Sequence, residues 1–407
     1  MIGVMKTKGH FKAEKLIQFI KKEIVLCVAA VLAVLSAFLV PPDDAYAGYI
    51  DFRTLGILFC LMSVMAGLQK IGVFEWIAGQ LLAKTRKPSG LVVILVFLCF
   101  FFSMAITNDV ALITFVPFVF TVGRLLGEKL YRRMVFPTVV LQTIAANLGS
   151  MLTPIGNPQN LYLYGISDMD GLQFVQTMLP YSAVSFGLLA ICCAVLGRRL
   201  DQVEAAETTE AIGALETAES GNGTNMAQIQ SGRSLTVYLV LFVFSLFTVA
   251  RIVPLWITML AVLAGMLIVD AKVMLRVDYS LLLTFVGFFV FIGNMGRLPA
   301  FSGFLQRMVV GHEVPVAVLA SQCISNVPAA LLLSGFTENV KGLLIGTNLG
   351  GLGTLIASMA SLISYKYVAA EAQERDLPGG KGRYFLYFTI ANIGFLVVLG
   401  ILYLCIA

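Results

Sequence analysis

Apolar runs long enough to cross a bilayer recur along the chain, and polar knots interrupt two of them. Leu91 to Phe102 and Val110 to Phe120 flank the first knot, Ser103-Met104-Ala105-Ile106-Thr107-Asn108-Asp109. Val314–Ala320 and Leu331–Leu333 flank the second, Ser325-Asn326-Val327-Pro328-Ala329-Ala330. Both read hydroxyl, Asn, then a helix start ending in Ala-Leu. The pattern predicts that each hydroxyl–Asn pair N-caps a half-helix. Pro328 suits a first helical turn and would break an interior one. Each knot therefore reads as the tip of a hairpin that turns back inside the membrane. An Asp at the centre of a bilayer costs roughly 2.5–3.5 kcal/mol, so Asp109 points to a use. The plainer alternative is a packing motif, in which Thr and Asn bond between helices for about 1 kcal/mol.

The remaining elements follow in order. Residues 1–23 alternate Lys with Phe, Leu and Ile, a basic amphipathic segment suited to a membrane surface. Residues 24–197 form a first transmembrane unit, with spans at 24–40, 52–71 and 172–197. It holds an interfacial helix at 73–83, a hairpin at 89–125 and a broken helix at 134–164. Within the last, Asn147 to Pro158 carries two prolines and two glycines, which predicts an unwound segment. Residues 198–233 are rich in Glu, Ala, Thr, Ser and Gly and read as a flexible linker. A connecting helix at 234–252 follows. A second unit, 254–405, has spans at 254–270, 279–296 and 384–405. It has an interfacial helix at 299–310, a hairpin at 314–340 and a broken helix at 341–367. A signal peptide ending near Ala45-Tyr46-Ala47 is the rival for the first span; a counterpart of that span in the second unit favours a helix.

The two units repeat. Asn147-Leu148-Gly149 through Ile155 aligns with Asn348-Leu349-Gly350 through Ile356, with Asn, Leu, Gly, Thr and Ile coinciding at one offset. Asp51-Phe52 matches Asp278-Tyr279, and Phe74 matches Phe301.

Composition fixes the class. The 407 residues are 58% hydrophobic and 13% charged, with mean hydropathy +0.89. The fold class is an all-α polytopic membrane protein. Alternating short strands, which a β-barrel needs, are absent from the pattern. The seven cysteines have no metal-ligand spacing. With two histidines and no hydrolase or phosphate-binding motif, an enzyme is disfavoured. Charge orients the chain. With the N-terminus cytoplasmic, all of the 28 Lys and Arg except Arg53, Arg251, Arg297, Arg307 and Lys341 fall in inner segments. The C-terminus is then outside and the units are inverted repeats, each with a hairpin and a broken helix, as in secondary transporters. A passive channel is the rival use of such hairpins.

At this point the sequence resembles the ion transporter superfamily. Thr107-Asn108-Asp109 and Ser325-Asn326-Val327 resemble its paired Ser-Asn-Thr hairpin tips. Thr153-Pro154-Ile155-Gly156-Asn157-Pro158-Gln159-Asn160 resembles its post-hairpin break. The relevant members are citrate-transporter-like permeases, divalent anion–sodium symporters, arsenite permeases and sodium–proton antiporters. Neither tip is Ser-Asn-Thr, and both departures look more like the arsenite-permease and antiporter branches.

The resemblance and the residues together predict a secondary transporter of an anion or organic acid. Arsenite efflux and sodium–proton exchange are the alternatives. The expected site comprises Thr107, Asn108, Asp109, Asn147, Thr153, Gly156, Asn157, Ser325, Asn326, Thr347, Asn348, Gly351 and Thr354. Half-helix N-termini suit an anion. Freed carbonyls and Asn side chains suit a cation, with sodium, where it is the coupling ion, at Asn108, Asp109 and Asn326. A proton on Asp109 is the other coupling route. No cofactor and no nucleic acid are expected. The expected partners are a small anionic substrate, membrane lipid and, as an option, a second copy of the chain in a homodimer. The expected location is the inner (plasma) membrane.

Overall fold

A computed structural model describes residues 23–85, 87–207, 232–375 and 379–406. Among them, eight helices are long and apolar enough to cross a membrane by length and composition, and no strand occurs. The chain begins with α1 (Ile24–Leu39), the single turn α2 (Tyr46–Tyr49), α3 (Phe52–Lys70) and the short α4 (Val73–Leu82). Then come α5 (Pro88–Ile106) and α6 (Asn108–Leu125), which meet at Thr107, and α7 (Glu128–Ser150), α8 (Pro158–Ile166) and α9 (Gly171–Glu207). The second half has α10 (Gly232–Val249), α11 (Leu255–Asp270), α12 (Tyr279–Gly296) and α13 (Pro299–Val309). It continues with α14 (Glu313–Ile324) and α15 (Asn326–Ser334), which meet at Ser325, and with α16 (Val340–Gly350), α17 (Met359–Arg375) and α18 (Gly380–Ile406).

Local chemistry explains where these helices start. Asp51 and Asp278 cap α3 and α12 through the backbone N–H groups of Thr54 and Leu281, each at 3.0 Å. Pro88, Pro158 and Pro299 occupy first-turn positions, where a missing N–H costs nothing. Pro117, Pro137 and Pro180 lie inside helices. Neighbouring helices make this tolerable in a membrane protein. The carbonyl that Pro117 cannot reach, that of Ile113, accepts the Tyr367 hydroxyl of α17 at 3.5 Å.

Packing rests on small residues, because apolar side chains gain little by leaving lipid for one another. α5 lies along α7, and α14 lies along α16. A Cβ on Gly149 would fall 2.0 Å from the Phe100 carbonyl oxygen. A Cβ on Gly350 would fall 2.6 Å from Ser321 Oγ and 3.0 Å from Val318 Cα. Glycine is what allows each hairpin arm to touch its neighbouring broken helix. The first spans are exchanged: α12 packs on α1, while α3 packs on α10 and α11. Asn294 of α12 donates to Ser36 Oγ (2.9 Å) and the Tyr46 hydroxyl (2.8 Å), and Arg297 pairs with Asp43 at 2.7 Å. Exposed side chains such as Phe38, Ile268 and Leu404 mark the apolar surface that faces lipid.

Further ionic contacts join helix ends. Lys70 pairs with Asp270. The buried carboxylate of Glu371 on α17 accepts Arg124 of α6 at 2.6 Å, Arg375 at 3.3 Å and the Tyr131 hydroxyl.

Three sequence expectations are corrected. The linker does not begin at 198, since α9 continues to Glu207. Its last residues contain no Gly or Pro and are mostly good helix formers, and Asp201 accepts the Ser89 N–H at 3.1 Å. The unwound segment does not begin at Asn147, because α7 stays helical through Ser150 and α16 through Gly350. Gly149 and Gly350 serve close packing there and do not break the helix. The hydroxyls of the two knots do not N-cap the half-helices, as described next. The basic segment at 1–22 and the linker at 208–231 lie outside the described residues.

Candidate functional site

The two hairpin tips are built alike. Thr107 has φ 73° and ψ 149°, and Ser325 has φ 74° and ψ 154°. This region is nearly reserved for glycine and costs about 1–3 kcal/mol per residue. The surroundings must hold it in place, and the same two contacts do so in each half. First, the backbone N–H of the tip Asn reaches a carbonyl of the adjacent break: Asn108 to Gly156 (3.1 Å) and Asn326 to Ala357 (3.0 Å). Second, a break threonine returns to the end of the hairpin arm. Thr153 Oγ1 donates to the Met104 carbonyl, and Thr354 Oγ1 donates to the Gln322 carbonyl (3.2 Å).

The tip hydroxyls take no capping role. Ser325 Oγ lies 3.5 Å from both Asn326 Oδ1 and the Ala357 carbonyl. Asn108 Oδ1 instead accepts the N–H of Asp109 at 3.0 Å. A backbone turned into the left-handed region does not present its hydroxyl to the helix start as an extended N-cap residue does.

Behind the tips the two breaks cross. Asn157 Nδ2 donates to Asn348 Oδ1 (3.2 Å), and Asn348 Nδ2 donates to Asn160 Oδ1 (2.7 Å). In the other direction, Ser358 Oγ donates to Asn147 Oδ1 (3.0 Å), and Asn147 Nδ2 reaches the Gly351 carbonyl (3.4 Å). Asn108 Nδ2 also donates to Asn147 Oδ1 at 3.0 Å, joining the first tip to the crossing. All of these side chains are buried. Asn157 Oδ1 caps α8 through the Asn160 N–H at 2.9 Å.

Of the expected site residues, Asn108, Asn147, Asn157, Asn348 and Gly351 meet in this network, and Gly156 accepts one tip. Asn326 lies beside it, its amide nitrogen 3.0 Å from where a Cβ on Gly351 would be. Thr107, Ser325, Thr153 and Thr354 shape the tips; Thr354 is exposed. Thr347 does not join, since its hydroxyl bonds back to the Leu343 carbonyl at 2.8 Å. Asp109 sits next to the network with a buried carboxylate oxygen, Oδ1, that has no hydrogen-bond partner.

The break carbonyls, expected to be free for a cation, are largely occupied. Asn160 Nδ2 serves those of Ser150, Met151 and Thr153 at 3.2–3.5 Å. Gln322 Nε2 serves those of Gly350 and Leu352, both at 2.9 Å. Asn160, Gln322 and Ser358 were missed as site residues. Ser358 had a signal: it aligns with Asn157 in the register that pairs Asn147 with Asn348.

An open cleft of about 1160 Å³ enters at one end of the bundle, between the ends of α8 and α15. Tyr162 and Ser334 stand at its wall, their hydroxyls 2.8 Å apart.

Comparison with known proteins agrees with this architecture. Residues 11–342 match a family described as citrate transporter. The chain is 30% identical over 321 residues to an uncharacterized transporter of Methanocaldococcus jannaschii, covering 78% of this chain and 81% of the relative. It is 29% identical over 336 residues to the inner membrane protein YbiR of Escherichia coli, covering 81% and 84%. It is 30% identical over 195 residues to the silicon efflux transporter LSI3 of Oryza sativa, covering 47% and 36%.

Proposed function

The chain belongs to the citrate transporter family, a family of membrane transporters, and from that premise we propose that it is a secondary transporter. Its cargo is a small anion or organic acid, and a proton or sodium gradient drives it by alternating access. The observation that carries this reading is Asp109. A carboxylate oxygen buried without a partner, beside a tip that costs backbone strain to maintain, is expensive unless it serves a moving charge. Asp109 carries the coupling proton, or holds sodium together with Asn108 and Asn326. Thr107, Ser325, Thr153 and Thr354 keep the tips in shape, and the crossed Asn side chains set the distance between them.

The duplicated tips support two inverted units, and the Lys/Arg asymmetry supports a cytoplasmic N-terminus and an external C-terminus. The similarity to YbiR supports residence in an inner membrane.

A second reading has its own support. The tips and the crossing offer Asn, Ser and Thr side chains and one carboxylate, with no Lys or Arg among them. Such a set also suits a neutral hydroxylated solute of the arsenite kind, exported against protons. The silicon efflux relative is in line with it. Sodium–proton exchange is the third outcome.

Purified protein in proteoliposomes separates these readings. Gradient-driven accumulation of citrate, succinate or sulfate is expected. Accumulation of arsenite alone selects the second reading, and sodium–proton exchange without cargo selects the third. Flux that never runs uphill would make the protein a channel and overturn the proposal.

A further inference from the structure

Gln159 is the second residue of α8, directly after the break. It is 1% exposed, and its Nε2 is buried with no hydrogen-bond partner. A buried N–H group left without a partner costs about 1–3 kcal/mol. Every Asn of the neighbouring crossing is bonded, so this one stands out.

Its position indicates what satisfies it. Helical side chains tilt toward the N-terminus, so Gln159 leans toward the break. The N-terminus of the nine-residue α8 carries partial positive charge, which favours an anionic oxygen, while Pro158 has no N–H and Asn157 takes the N–H groups of Asn160 and Leu161. One turn further along the same face is Tyr162. Its ring packs on Phe289 at 5.6 Å, and its hydroxyl meets Ser334 at 2.8 Å. That pair stands at the wall of the 1160 Å³ cleft. The residue one turn along α8 from the unpartnered amide thus stands at the cleft wall, held there by a single hydrogen bond between two hydroxyls.

We propose that Gln159 Nε2, with the N-terminus of α8, binds a carboxylate or oxyanion oxygen of the transported solute, and that the Tyr162–Ser334 contact screens this subsite from the cleft. The proposal rests on the transporter reading above and names an anion-binding residue for it.

The test uses the full chain in proteoliposomes with citrate, sulfate and arsenite as probes. Gln159→Leu removes the amide at similar size. The expected result is a melting temperature unchanged or raised, because an unsatisfied group is gone. KM for the accumulated anion should rise about tenfold. An unchanged KM overturns the inference while leaving the transporter reading intact. Uptake of arsenite alone does the same.

A second arm decides the matter if that variant folds poorly. Gln159→Cys, with the seven native cysteines replaced, is treated with a membrane-impermeant thiosulfonate from the cleft side. Labelling should be faster when Tyr162→Phe is added and slower in citrate or sulfate. No labelling, or labelling that neither anion slows, overturns the proposal. Wild-type vesicles that move none of the three probes would instead count against the transport reading itself.

Discussion

Asn157 of the first break donates to Asn348 of the second at 3.2 Å, and the residue aligned with Asn157, Ser358, donates to Asn147 at 3.0 Å. Each half therefore completes the polar contacts of the other. Asn157→Ala leaves the Asn348 oxygen without that donor and uncaps α8. It should lower stability by about 1–3 kcal/mol. A cycle with Asn348→Ala should show coupling of about 0.6–1.7 kcal/mol in detergent unfolding midpoints. Additive losses would mean that the two amides do not depend on one another.

Asp109→Asn should leave the fold intact, since Asn is nearly isosteric and the carboxylate oxygen it replaces makes no hydrogen bond. Gradient-driven accumulation should stop. Counterflow should continue if the charge carries a proton, and sodium dependence should weaken if it binds sodium. A mutant with a normal coupling ratio would make Asp109 scaffold.

Glu371 is 6% exposed and collects Arg124, Arg375 and Tyr131. Breaking a buried pair costs about 3–5 kcal/mol. Arg124 is 38% exposed, so solvent screening reduces the figure. Glu371→Gln should cost about 2–3 kcal/mol in unfolding midpoint, and Arg124→Gln less, because two donors to Glu371 remain. Equal losses would place the main contribution in the Arg124 bond alone.

Gly149→Ala sets a methyl group 2.0 Å from a backbone carbonyl, while Gly350→Ala meets a serine hydroxyl at 2.6 Å. A side chain can turn aside and a helix backbone cannot. Gly149→Ala should therefore be the more damaging, by about 1–3 kcal/mol or by loss of expression. Thermal unfolding of the two variants compares them.

Much of this is legible in the sequence. Hydrophobic runs locate the long apolar helices, and the aligned Asn-Leu-Gly segments mark the two breaks that meet each other. Asp51 and Asp278 were matched as residues and serve as matched caps. What the sequence hid depends on long-range geometry. A hydroxyl before a helix looks like a cap until the backbone turns to positive φ, as at Thr107 and Ser325. Gly149 looks like a helix breaker until α5 is seen against it. Asn160, Gln322 and Gln159 are ordinary polar letters, and only the fold shows that the first two fill the break carbonyls while the third is left unfilled. Arg198-Arg199 looked like the end of a span, although the residues after it favour helix for another two turns.

The same junction occurs twice with opposite chemistry. Where α8 meets α15, two hydroxyls touch, Tyr162 and Ser334. Where α17 meets α6, the corresponding pair of helices, a carboxylate faces a guanidinium. Dissolved salt screens the partly exposed ionic contact and leaves the hydroxyl contact almost untouched. Concentrated salt should therefore loosen the α6–α17 junction more than the α8–α15 junction, although the two occupy equivalent places in the halves.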